Sequence, residues 1–133
     1  MLKNQIWWYP GHPPARIVGA DGYTMEAKQI GRICLPGGKA NFSFDERFLV
    51  THHYLKREDF KTDEEYAPFK DKSTADIYVV DLLTGETIRV TNMAPGQLAL
   101  FPHYRSDGWL YFHVRDSNSD KQYYAVSDVT LKR

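Results

Sequence analysis

Asn41-Phe42-Ser43-Phe44-Asp45-Glu46-Arg47-Phe48-Leu49-Val50 and His103-Tyr104-Arg105-Ser106-Asp107-Gly108-Trp109-Leu110-Tyr111-Phe112 align without a gap, their central aspartates 62 residues apart. Each reads as a short strand, a polar turn centred on Asp, and a second strand of aromatic and β-branched residues. A second pair follows in the same order, because Asp76-Ile77-Tyr78-Val79-Val80-Asp81 resembles Gln122-Tyr123-Tyr124-Ala125-Val126-Ser127 in its run of strand formers. After the earlier member, Thr84-Gly85 marks a turn and Thr87 to Thr91 a returning strand, which makes four successive antiparallel strands in one unit. The same pieces in the same order indicate a repeat architecture, in which each unit buries its apolar face against a neighbour.

The spacing exceeds the usual repeat of about 40 to 50 residues for a propeller blade. Its excess lies in a highly charged insert, residues 55–74, where the later unit has only a short turn around Asp116 to Asp120. The insert reads as a solvated rim loop with a helical turn near Asp63 to Tyr66. Upstream, Ile6-Trp7-Trp8-Tyr9 resembles Ile77-Tyr78-Val79-Val80, and Ala15-Arg16-Ile17-Val18 resembles Ile88-Arg89-Val90-Thr91. The expected layout is therefore residues 1–36 as outer strands of a preceding unit plus a connection with one extra strand, residues 37–91 as a complete unit carrying the insert, and residues 92–133 as a second unit with an incomplete outer strand.

These residues resemble the TolB-type, WD-like β-propeller repeat, whose blade carries Pro-x-Trp-Ser-Pro-Asp-Gly, a hydrophobic strand, a strand like Ile-Tyr-Val-Met-Asp, a Gly turn and Arg-Leu-Thr. Pro102 to Phe112 is similar to the first part; Asp76 to Asp81, Thr84-Gly85 and Arg89-Val90-Thr91 are similar to the second. The earlier turn departs from the pattern, lacking the Pro before Asp45 and the Gly after it. The resemblance implies an all-β fold, a partial propeller of antiparallel four-stranded blades. A propeller ring takes about four to eight blades and this chain offers roughly two, so a larger propeller or assembly is expected to supply the rest. The resemblance says little of function, since propellers host binding, scaffolding and catalysis alike. The expected function is a non-catalytic module for protein or ligand binding or scaffolding. The alternatives are the propeller portion of a prolyl-oligopeptidase-like hydrolase whose catalytic domain lies elsewhere, and a His-based metal site.

Seventeen basic residues balance seventeen acidic ones, so no net field draws the chain to nucleic acid or an anionic membrane. No stretch reaches the roughly 20 apolar residues of a membrane-spanning helix. The expected partners are accordingly a protein, a second copy or missing blades, with neither nucleic acid nor membrane insertion. One cysteine, Cys34, precludes an intrachain disulfide framework and leaves both a periplasmic and a cytoplasmic location open. The sequence leaves any cofactor unidentified. It contains no Gly-x-Ser-x-Gly, His-Glu-x-x-His, Walker-type loop or Cys-x-x-Cys-His, and hence no catalytic motif.

Candidate site residues come from the histidines and arginines. His52 and His53 are adjacent, so on a strand they point to opposite faces and cannot share a metal. His103 aligns with Asn41 and His113 with Thr51, and together with a carboxylate these two could hold a transition metal. Arg105 and Arg115 read either as anion-binding forks or as partners of Asp107 and Asp116. The expected binding residues are His52, His103, Arg105 and His113. Asp45, Asp107, Gly108 and Gly85 are expected to shape turns, the aspartates by accepting backbone N–H bonds. Trp7, Trp8 and Tyr9 are expected to pack between blades rather than to stack a ligand.

Overall fold

The computed structural model describes residues 4–8, 31–35 and 37–131, and divides after Pro36 into two compact units. In the first unit β1 (Asn4–Trp8) pairs antiparallel with β2 (Gly31–Leu35), with Asn4 opposite Leu35 and Trp8 opposite Gly31. The strand expected at Ala15 to Val18 and the side-chain packing of Trp7, Trp8 and Tyr9 lie outside the described residues.

The second unit is mostly β, an open and mostly antiparallel sheet of seven strands. It consists of β3 (Gly38–Phe42), β4 (Phe48–Tyr54), β5 (Ala75–Asp81), β6 (Thr87–Arg89), β7 (Gln97–Tyr104), β8 (Leu110–Asp116) and β9 (Lys121–Ser127). Strands β3 to β6 form one antiparallel meander and β7 to β9 another. A single parallel pairing, Ala75 with Leu98, joins the two.

Both hairpins break register at the same place. The shift in β3 lies between Gly38 and Asn41, that in β7 between Leu100 and His103, positions related by the 62-residue offset. Each bulge holds a non-glycine residue in the left-handed region, Lys39 at φ 51° and Phe101 at φ 53°. Such a conformation is a genuine outlier for an aromatic side chain and is sustained by the surrounding sheet. Lys39 Nζ rests 3.9 Å from the centroid of the Phe101 ring, so the two bulges meet. Asn41 Oδ1 also accepts a hydrogen bond from the Tyr104 backbone N–H at 2.9 Å, tying the hairpins together.

Period-2 alternation then sorts the side chains. Phe48, Val50, Ile77 and Val79 of the first meander form one buried cluster with Ala99, Leu110, Phe112 and Val114 of the second. Each large aliphatic or aromatic side chain buried there contributes about 1.5–3 kcal/mol. Strand β4 is buried on both faces along Phe48–His53, with Leu49 and Thr51 inaccessible on the face opposite this cluster.

Two sequence expectations change in detail. The returning strand stops at Arg89 instead of Thr91, because side-chain bonding takes over from the ladder: the Thr91 hydroxyl accepts from Ile77 N–H and donates to Asp76 Oδ1. The insert is ordered by local structure. Its base closes through Leu55 N–H to Thr74 O, and a helical turn, α1 (Asp63–Tyr66), is capped by Thr62 between single turns of 3₁₀ helix at Arg57–Asp59 and Ala67–Phe69. Phe60, Tyr66 and Phe69 cluster within it, and His53 Nε2 meets Asp59 Oδ2 at 2.8 Å to hold it to the sheet.

Candidate binding face

Each expected turn residue stands at a hairpin end. Asp45 Oδ1 accepts from Arg47 N–H at 3.2 Å and from the Ser43 hydroxyl at 2.6 Å. Asp107 Oδ1 accepts from Trp109 N–H and its Oδ2 from the Tyr111 hydroxyl, both at 2.9 Å. These bonds favour the charged carboxylates and hold both pKa values below the ordinary range. Gly108 sits at φ 79°, and Glu46 occupies the equivalent place at φ 59°. Gly85, at φ 76°, closes the turn between β5 and β6 through its N–H to Asp81 O. Between the two hairpin ends lies an open cleft of about 280 Å³ lined by Phe44, Asp45, Asp107, Gly108 and Leu131 among others. Both carboxylates in it are committed to their own turns.

Three of the four expected binding residues belong to one surface. Leu110, Phe112 and Val114 point into the core, so Tyr111, His113 and Arg115 face the other way. The pairing places His103 beside Tyr111 on β7, and Val126, Tyr124 and Gln122 beside Tyr111, His113 and Arg115 on β9. The His103 and Tyr111 rings stack at 6.0 Å, the Arg105 guanidinium lies 5.0 Å from the Tyr111 centroid, and His113 meets Tyr124 at 5.4 Å. This face is cationic and aromatic and opens to solvent, with Tyr124 76% and Val126 52% exposed. Among the described residues neither Arg105 nor Arg115 is in an ion pair. Arg115 does not pair with Asp116, whose carboxylate instead accepts from Asn118 N–H and Gln97 Nε2. Arg105 lies close enough to Asp107 to help lower its pKa but not to form an ion pair with it.

His52 is elsewhere, turned into the core side of β4. It is buried, its Nδ1 has no hydrogen-bond partner among the described residues, and its ring meets Tyr54 and Phe101 edge-on at 5.7 and 6.0 Å. Burial first, and then the neighbouring Lys39 and His53, push its pKa down, which keeps the ring neutral near pH 7. Among the described residues no three His, Cys, Asp or Glu side chains converge on a point where a metal could sit. His103 and His113 lie in separate rows of the face, one beside Tyr111 and the other beside Leu100 and Tyr124.

Tyr111, Tyr124 and Gln122 complete the face and were not singled out from the sequence. Their signal was the alternation of β8 and β9, which puts them on the same side as His113 once Phe112 is known to be buried. Among the described residues no helix is long and apolar enough to cross a membrane. Compared with known proteins, the chain matches no protein-family model, no curated protein and no solved structure.

Proposed function

We propose that this chain is a non-catalytic binding or scaffolding module built from propeller-type repeats, and that it engages its partner through the second meander. The observation that carries this reading is the unequal completion of two otherwise matching meanders. Both have the same bulge and the same Asp-centred turn at a 62-residue offset, and they bury their apolar faces against each other. The first has four strands, whereas among the described residues the second has three. Among the described residues no strand pairs with the outer edge of β9, whose row of backbone N–H and C=O groups is flanked by exposed Tyr123, Tyr124 and Val126. Such an edge is stable in water only when short, charged or covered, and β9 runs seven residues with one lysine.

Light scattering coupled to size exclusion tests the reading on the purified chain. Concentration-dependent assembly, or a monomer that unfolds without a cooperative transition, is the expected result. A cooperative monomer at all concentrations would sink the idea that the chain is one part of a larger assembly.

A further inference from the structure

Strands β5 and β9 are equivalent, and only β5 has its outer edge covered by a described strand. Asp76, Tyr78 and Val80 of β5 correspond to Gln122, Tyr124 and Val126 of β9, and they pair with His53, Thr51 and Leu49 just as the latter pair with Arg115, His113 and Tyr111. On β5 the covering strand is Thr87–Arg89, with Arg89 opposite Tyr78. Arg89 turns its guanidinium to the wholly buried Asp76 at 2.5 Å, and Thr91 and Met93 N–H bind the same carboxylate. The charge code of this seam is an acid on the third strand and a base on the fourth.

At the β9 seam the code is inverted. Gln122 stands where Asp76 does, and Arg115 stands beside it where His53 does. The guanidinium of Arg115, in no ion pair among the described residues, would repel an Arg on an added strand and attract a carboxylate. We propose that the outer edge of β9 accepts an extended acidic peptide as a fourth strand, with Asp or Glu opposite Tyr124 directed toward Gln122 and Arg115. Main-chain bonds to β9 supply affinity and the carboxylate supplies selectivity, the division of labour in strand addition generally. This rests on the reading of the chain as a binding module and names the chemistry of its partner.

A synthetic peptide of the Glu86–Asn92 sequence is the reference probe, and the same peptide with Arg89→Glu is the test. Fluorescence anisotropy against the full chain should show the acidic peptide binding about tenfold more tightly than the parent. Arg115→Glu, a change at an exposed position, should reverse that order. Hydrogen exchange should slow at residues 121–127 and not at 75–81. Equal affinities, or an order that Arg115→Glu leaves unchanged, would overturn the proposal. So would protection of β9 that rises with protein concentration alone, which makes a second copy the occupant and leaves the module reading standing. Capture of an oligothymidylate on the same face in place of the acidic peptide overturns it as well.

Discussion

The first meander is sewn at its third strand by two buried acids, and the second has neither. Asp76 holds Arg89, Thr91 and the Met93 N–H at one end of β5. At the other end Asp81, also buried, receives Arg47 Nη2 at 2.9 Å and Leu83 N–H at 2.9 Å, and the Arg47 bond lowers its pKa. The equivalents on β9 are Gln122 and Ser127; the Ser127 hydroxyl accepts from Val129 N–H at 3.3 Å, and among the described residues neither is in an ion pair. Both third strands pair fully with their second strands. Strand-forming power is thus shared between the meanders, and the difference lies in which one carries its own means of holding a fourth strand. A buried carboxylate must be hydrogen-bonded and paired to be tolerated, so Asp76 selects its neighbours far more strictly than a β-branched side chain does.

Removing that anchor gives the largest expected contrast. Asp76→Ala leaves Met93 N–H and Arg89 without their acceptor and should cost about 3 kcal/mol in urea unfolding, with amide exchange accelerating first at residues 87–93. Gln122→Ala, the matching change on β9, should fall within about 0.5 kcal/mol. Similar losses at the two sites would erase the distinction between a sewn and an open seam.

The turns offer a smaller contrast of opposite sign. Gly108→Ala puts a Cβ into the left-handed region and 2.7 Å from Leu131 Cδ2, and is expected to destabilise by about 1–2 kcal/mol. Glu46→Gly relieves the same strain in the first hairpin and, after the entropy glycine loses on folding, should stabilise by about 0.5–1 kcal/mol. Thermal melts of the two variants read both signs, and a loss of stability in Glu46→Gly would show that the Glu46 side chain does more than tolerate its backbone.

The smallest effect at neutral pH concerns His52, which the second hairpin replaces with Val114. Its folded pKa lies below the ordinary 6.5, so the unfolded chain takes up a proton first as pH falls. The stability contributed by the neutral ring is whole above pH 6.5 and is lost as pH drops below it toward the folded pKa. His52→Leu should change stability by less than about 1 kcal/mol at pH 7.5 and flatten the decline toward pH 5.5. Parallel wild-type and variant curves across that window would mean the ring is not what titrates. The depressed carboxylates of Asp45, Asp81, Asp107 and Asp116 act in a separate, lower window, their contribution being whole above the ordinary 3.8 and lost as pH falls through their folded values.

Much of the local structure was legible before any coordinates. The Asp-centred turns, the Gly85 hairpin, the helical turn at Asp63 to Tyr66 and the opposed faces of His52 and His53 all follow from chemistry within a few residues. The positive φ at Glu46 was not legible, because glycine announces that conformation and glutamate does not. Nor were the bulges at Lys39 and Phe101, which depend on one hairpin resting on the other. Asn41 and His103 align in sequence yet diverge in role, since Asn41 reaches across to Tyr104 while His103 stacks in the open on Tyr111.

By itself the sequence determined the order of strands and turns and a 62-residue recurrence, since alternation, turn chemistry and strand propensity act over short distances along the chain. Only the tertiary structure decided which face of each strand is core, and so gathered His103, Arg105 and His113 with Tyr111, Tyr124 and Arg115 on one side while burying His52 on the other. It also decided which seam is sewn and which is open, because an acid on one strand acquires meaning only from the cation that folding sets beside it.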